Sequence, residues 1–179
     1  MADVHDDISP EFAEWIAQQP VFFVATAPRD GGHVNLSPKG HDTLRVLGPK
    51  RVAYLDLTGS GVETIAHVRE NGRVTLMWCA FTGNPRIVRV YGRGCVHEVG
   101  TPGFAERAPD FPELPGARSI IEIDVDRVSE SCGYAVPLMT YDGDRDRLID
   151  WAIARGDDLP GYWGRKNSQS IDGLPGLPA

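Results

Sequence analysis

The chain has 179 residues, enough for one domain with a sizeable hydrophobic core. Its 25 acidic and 18 basic residues give a net charge of −7, which argues against a nucleic-acid partner. No apolar run is long enough to cross a bilayer and the acidic residues 1–7 do not resemble a secretory signal, so we expect a cytoplasmic protein without a membrane partner.

The first part of the chain predicts one helix and three strands. Ser9-Pro10 predicts the start of a short helix, because serine caps helix N-termini and proline suits the first helical position. The β-rich residues 21–27 and 34–40 predict a hairpin, and a short strand follows at residues 44–47. Pro38 has no backbone N–H to donate, so the strand 34–40 is expected at a sheet edge or a bulge.

Residues 52–81 are the most informative stretch, and they predict a strand, a short helix and a second strand. Ser60 and Glu63 have the S-x-x-E spacing of a capping box at the helix start, and Asn71-Gly72 suits the helix end. A helix start entered through glycine and serine also suits an anion. The local pattern leaves two interpretations open, an anion site or only a well-capped helix between two strands.

The remaining residues add two strands and one clear helix. Residues 87–99 predict a long strand that bends or bulges at Gly92 and Gly94. Residues 121–126 alternate between apolar and charged side chains, which predicts a strand with one buried face and one face exposed to solvent. Between them lies a long loop with one helical turn near Phe104. Residues 144–155 predict an amphipathic helix, and the tail beyond shows no periodicity. The expected fold class is mainly β: a six-stranded antiparallel barrel with short helices packed outside.

The familiar catalytic motifs are absent from the sequence. Ser60 lies in G-S-G rather than in a G-x-S-x-G elbow, and the five histidines show no metal-binding spacing, so we expect no metal site. Polar residues of the kind that bind phosphate nevertheless follow several strands. They include Lys39, the turn at residues 58–61, and the arginines Arg86 and Arg89.

Four blocks in this order resemble the pyridoxamine 5′-phosphate oxidase-like family of flavin-binding split barrels. They are Asn-Leu-Ser-Pro-Lys-Gly at residues 35–40, the stretch from Tyr54 to Ile65, the strand 73–78 and residues 86–94. The likeness spans about residues 15–130 and is greatest to a bacterial branch that shares Ser-Pro-Lys-Gly. It implies a six-stranded antiparallel split barrel, as one flavin-binding domain over residues 1–179 with 131–179 as a helical and irregular C-terminal extension. It also implies a homodimer that binds FMN in two grooves where the subunits meet.

The resemblance also implies which residues contact the cofactor. In members of the family, the lysine that ends the second barrel strand contacts the FMN phosphate, and Lys39 occupies that position in this sequence. The cofactor-binding set carried over to this sequence is Asn35, Ser37, Lys39, Gly40, Thr58, Gly59, Ser60, Gly61, Thr64 and Arg89. The oxidase has Ser-Arg-Lys where this chain has Ser60-Gly61-Val62, so two cations are missing. Its C-terminal Arg-x-His-Asp-Arg segment is also absent, and Arg165 and Lys166 are the expected substrate or rim residues instead.

The sequence thus predicts an FMN-dependent oxidoreductase that acts on a small molecule, and not the authentic oxidase. It identifies no catalytic residue, physiological substrate or electron partner. Two alternatives stay open: a deazaflavin-dependent reductase, and a non-catalytic protein that binds flavin or haem. The visible absorption spectrum separates these cofactors.

Overall fold

The computed structural model describes residues 3–178, which form eight strands and five α-helices. The elements are β1 (Asp3–His5), α1 (Pro10–Ala17), β2 (Phe22–Thr26), β3 (Asn35–Lys39), β4 (Leu44–Gly48), β5 (Arg51–Leu57), α2 (Glu63–Asn71), β6 (Arg73–Cys79), β7 (Ile87–Glu98), α3 (Pro102–Arg107), β8 (Ala117–Ser131), α4 (Arg147–Arg155) and α5 (Leu159–Lys166). None of these helices is both long and apolar enough to cross a membrane.

All eight strands belong to one antiparallel sheet in the order β3-β2-β6-β7-β8-β5-β4, with β1 paired to β8. The prediction of a mainly β antiparallel fold is confirmed, although the sheet has eight strands rather than six. β3 lies at one end of the sheet, as Pro38 predicted, and pairs with β2 from Phe22↔Lys39 to Thr26↔Asn35. Gly31 and Gly32 take positive φ in the turn of this hairpin.

The two longest strands, β7 and β8, bring distant parts of the sheet together. β8 pairs with β7 along one edge, and with β5 and then β1 along the other. The register between β7 and β8 shifts between Tyr91 and Gly92, where a β-carbon on Gly92 would overlap the carbonyl oxygen of Asp124. The bulge predicted at Gly92 is therefore confirmed, and the close approach of two backbones requires glycine there.

β5 is buried from its second residue to its last because both of its faces are covered. Val52 and Tyr54 face the main core, which includes Trp78 of β6 and residues of α1 and α2. The alternate residues Ala53, Leu55 and Leu57 form a second core beneath residues of α3 and α4. Alternation places Asp56 on the same face as Tyr54, so a buried carboxylate lies among the apolar residues near the end of β5.

Helix boundaries follow some of the predicted caps and contradict one. Ser9 caps α1 by accepting a hydrogen bond from Phe12 N–H, and Gly72 ends α2 in the left-handed conformation, as predicted. The capping box at Ser60 and Glu63 was wrong, because the N-cap of α2 is Val62 and no side chain caps it. The carboxylate of Glu63 instead accepts the N–H of Ile171, from the C-terminal tail.

Beyond Ser131 the chain departs further from the predictions. Residues 132–146 contain no helix or strand, and α4 begins at Arg147, three residues later than expected. The sequence of the tail shows no periodicity and α5 was not predicted, but the tail forms this helix and its remaining residues pack against the barrel. Asn167, Ser170 and Leu177 are all buried, so this tail is part of the packed structure.

Candidate functional site

A cleft of about 1360 Å³ opens beside β3, the end of β5 and the start of α2. Segments 81–84 and 139–145 line its other side. Nine of the ten residues predicted to bind a cofactor lie on its walls: Asn35, Ser37, Lys39, Gly40, Thr58, Gly59, Ser60, Gly61 and Thr64. The fold therefore brings together residues that are up to 29 positions apart in the sequence. They line one concave surface, which is the usual form of a small-molecule site.

Hydrogen bonds fix the polar wall of the cleft at Asn35. Its Nδ2 donates to Thr26 Oγ1 at 3.2 Å and to Thr64 Oγ1 at 3.0 Å, while its Oδ1 accepts from Ser37 Oγ at 3.0 Å. Thr26 Oγ1 also lies 3.0 Å from Nδ1 of His67, which is fully buried. Burial lowers the pKa of His67, so its imidazole is neutral at pH 7.

Lys39, the residue predicted to bind phosphate, is held by a buried carboxylate. Its Nζ lies 2.8 Å from Oδ1 of Asp56, and Nε of Arg118 lies 2.7 Å from Oδ2. Burial acts to raise the pKa of Asp56, but the charges and hydrogen bonds of Arg118 and Lys39 outweigh it and lower the pKa to about 2. Two cations and one carboxylate thus leave one net positive charge at the cleft wall, and Lys39 is the more exposed of the two cations.

The turn at residues 58–61 is fixed from behind by other parts of the chain. Gly59 O accepts from Asn167 Nδ2 at 3.1 Å, and Gly61 O accepts from Arg118 Nη1 at 2.9 Å. Thr58 Oγ1 donates to Gly116 O and accepts from Trp163 Nε1. Within residues 3–178, none of the backbone N–H groups of residues 59–62 donates a hydrogen bond, although the Glu63 carboxylate lies against Gly61. These N–H groups are therefore available to an anion in the cleft.

Three predicted site residues do not line this cleft. Arg89 donates to Ser131 Oγ at 3.2 Å, and Arg165 pairs with Asp158 at 3.0 Å. Lys166 lines a smaller neighbouring pocket of about 500 Å³, which shares Asn35, Ser60, Gly61 and Glu63 with the cleft. The structure therefore places Lys166 near the turn, while Arg89 and Arg165 have partners elsewhere.

Sequence reasoning missed the residues that organise the site from within. An aspartate at the end of the apolar strand 52–57 was the one available indication of a buried ion pair at Asp56. Nothing in the sequence pattern singled out Arg118 or Asn167, because they act through contacts with residues more than 45 positions away. Among residues 3–178, no group of three or more histidine, cysteine, aspartate or glutamate side chains could hold a metal ion.

The family model for pyridoxamine 5′-phosphate oxidase matches residues 8–132, which include β2 to β8 and most of the cleft wall. This chain belongs to the pyridoxamine 5′-phosphate oxidase family. A relative from Aspergillus flavus, the pyridoxamine 5′-phosphate oxidase family protein ustO, is 42% identical over 192 aligned positions, which span 97% of this chain and 77% of the relative. Because this relative is fungal, the likeness extends beyond the bacterial branch that the sequence blocks indicated.

Solved structures share the fold of this family member at low sequence identity. HupZ from Group A Streptococcus superposes with a TM-score of 0.51 and 20% identity, over 68% of this chain and 91% of its own. A candidate pyridoxamine 5′-phosphate oxidase from Lactobacillus delbrueckii gives a TM-score of 0.53 and 23% identity, over 69% and 94% of the two chains. At these identities the comparison establishes the split-barrel fold and nothing about the ligand.

Proposed function

We propose that this protein binds FMN in the cleft and acts as a flavin-dependent oxidoreductase on a small molecule. The observation that carries the proposal is the convergence on one cleft of nine residues that the family resemblance assigns to the cofactor. Membership of the pyridoxamine 5′-phosphate oxidase family supports the same cofactor. When bound, the flavin supplies hydride and electron transfer, and the protein supplies binding, orientation and electrostatics.

The cleft residues divide into two groups that suit the two ends of FMN. Lys39 and the N–H groups of residues 59–62 would hold the phosphate, because a cation and several backbone donors converge there. Asn35, Ser37 and Thr64 would offer polar contacts to the other end of FMN. Their mutual hydrogen bonds hold this part of the wall rigid. Asp56 keeps the Lys39 ammonium at the cleft wall, since a charge-assisted hydrogen bond restrains an otherwise flexible side chain.

We also propose that the protein is a cytoplasmic homodimer whose subunits together complete the groove. Exposed apolar side chains support this proposal, because a monomer seldom exposes many of them near one site. Val34 and Leu36 lie on the edge hairpin, and Leu138 and Met139 lie on the segment that borders the cleft. A two-fold interface would cover such residues on both copies at once.

The proposal is tested by titrating the purified protein with FMN, riboflavin, a deazaflavin and haem, and by recording its absorption spectrum before any addition. We expect a flavin spectrum and tighter binding of FMN than of riboflavin, because only FMN carries the phosphate. Tighter binding of the deazaflavin or of haem would replace FMN with that cofactor. Absence of binding by every ligand would refute a cofactor-dependent function. Turnover is then tested by reduction of bound FMN with NADH or NADPH.

A further inference from the structure

Two peptide carbonyls of the turn at residues 58–61 point at the same pair of buried side chains. Gly59 O accepts from Asn167 Nδ2 at 3.1 Å. Gly61 O accepts from Arg118 Nη1 at 2.9 Å and lies 3.4 Å from Asn167 Nδ2. Asn167 is completely buried and Arg118 is 4% exposed, so both donors approach the turn from the protein interior.

The direction of these carbonyls fixes the direction of the adjoining N–H groups. In a planar trans peptide the C=O and the following N–H point in opposite directions. The N–H groups of Ser60 and Val62 therefore point away from Asn167 and Arg118, and no acceptor among residues 3–178 binds them. The turn presents these donors on the side opposite the two buried side chains, while the carbonyls of Gly59 and Gly61 are withdrawn from an incoming anion.

Asn167 is itself held rigidly in place by three further hydrogen bonds. Its N–H donates to Trp163 O at 2.7 Å, and its C=O accepts from Leu177 N–H at 2.7 Å. Its Oδ1 accepts from Arg118 Nη1 at 3.0 Å, and Trp163 in turn donates to Thr58 Oγ1. The side chain therefore has one orientation, with Oδ1 toward the guanidinium and Nδ2 toward the glycine carbonyls.

We infer that Asn167 is a positioning residue for the anionic end of the ligand, and that it acts with Arg118 through the turn at residues 58–61. This inference rests on the proposed phosphate-binding function of the cleft. Two cations that the oxidase places in this turn are absent here, where the residues are Gly61 and Val62. Backbone N–H groups, oriented by a residue of the C-terminal tail, replace them as the phosphate ligands.

The amide of Asn167 suits this role for a chemical reason. Two carbonyl oxygens need N–H donors, and an aspartate of the same size would bring a third acceptor to the same point. Loss of the donors would free the glycine peptides to rotate and would expose their carbonyl oxygens to the phosphate. Loss of these donors would therefore weaken phosphate binding. The remainder of the ligand is held by other parts of the cleft wall.

The test compares FMN with riboflavin in Asn167→Ala and Asn167→Asp, with Ser170→Ala as the matched control. Ser170 is also buried in the tail, and its hydroxyl accepts from Leu174 N–H and forms no hydrogen bond with the turn. We expect Asn167→Ala to weaken FMN about 10-fold, the loss of roughly one net hydrogen bond to a charged group, and to change riboflavin less than about 2-fold. Ser170→Ala should leave the ratio of the two affinities unchanged.

A second measurement reports on the turn itself. Amide hydrogen exchange of residues 59–62 should slow when FMN binds the wild-type protein, and this protection should be lost in both Asn167 variants. Asn167→Asp keeps the contact with Arg118, so it carries the test if Asn167→Ala fails to fold. An unchanged FMN-to-riboflavin ratio in a folded Asn167 variant would overturn the inference and leave the cofactor site intact. A wild-type protein that binds neither ligand would overturn the proposed function, and the inference with it.

Discussion

Replacing Asp56 with asparagine tests the electrostatic organisation of the site most directly. The Asp56 carboxylate is completely buried and contacts Lys39 at 2.8 Å and Arg118 at 2.7 Å. Asp56→Asn removes the negative charge, keeps one acceptor oxygen, and leaves the Arg118 guanidinium buried without a counter-charge. Removing one partner of a buried ion pair lowers the free energy of unfolding by about 3 to 5 kcal/mol. Because Asp56→Asn retains one oxygen, we expect a loss of about 3 kcal/mol.

The pH dependence provides an independent estimate of the same interaction. The pKa of Asp56 is about 2 against an ordinary value of 3.8, so its carboxylate is favoured by the folded state. This stabilisation is complete above the ordinary pKa and is lost as the pH falls from 3.8 toward 2. Each pKa unit corresponds to about 1.4 kcal/mol, so about 2 kcal/mol should disappear over this range.

The assay is urea unfolding at fixed protein concentration, at pH 7 and at several values down to pH 2. Asp124→Asn is the matched control, because Asp124 lies on β8 and pairs with Arg51 at 3.5 Å but is 73% exposed. The control should lose no more than about 0.5 kcal/mol. Asp56→Asn should lose about 3 kcal/mol at pH 7 and should show a shallower acid limb than the wild type. Equal stabilities of the two variants, or an unchanged acid limb, would refute the reasoning.

Three further predictions concern the ligand and the assembly. Lys39→Met should weaken FMN relative to riboflavin by about 10- to 100-fold, the value of one charge-assisted contact, and equal losses for both ligands would assign Lys39 to folding instead. Glu63→Gln should tighten FMN by roughly two- to tenfold, because the Glu63 carboxylate lies against Gly61 and repels a phosphate there, and calorimetric titration checks this value. Light scattering during size exclusion should give twice the chain mass of 19.6 kDa, and a monomer that binds FMN would contradict the shared groove.

Local patterns predicted those parts of the fold that depend on neighbours in the sequence. Pro38 identified an edge strand, Gly92 a bulge, and Gly72 a helix end, because each residue restricts or permits backbone geometry directly. The family resemblance then brought nine separate residues to one cleft, which no periodicity could have done. Prediction worked where the cause was local or was carried by a recognised family motif.

The failures share a different cause, which is competition from distant residues. The capping box failed because the Glu63 carboxylate binds Ile171 N–H, 108 positions away, while the start of α2 forms at Val62. α5 was not predicted because two glycines lower its helix propensity, yet the contact from Trp163 to Thr58 holds it against the barrel. Tertiary contacts outweigh weak local preference in both cases.

The same tertiary contacts change how the C-terminal residues relate to the site. A boundary at residue 131 separates the strands from the tail in the sequence, but Asn167 and Trp163 bind the turn that faces the cleft. Arg118 joins the two regions, since its guanidinium contacts Asp56, Gly61 O and Asn167 together. A cation such as Lys39 can meet an anion only because the carboxylate beside it is already neutralised by Arg118, and Arg118 is oriented in part by the tail. The tail therefore belongs to the architecture of the site as much as the strands that line it.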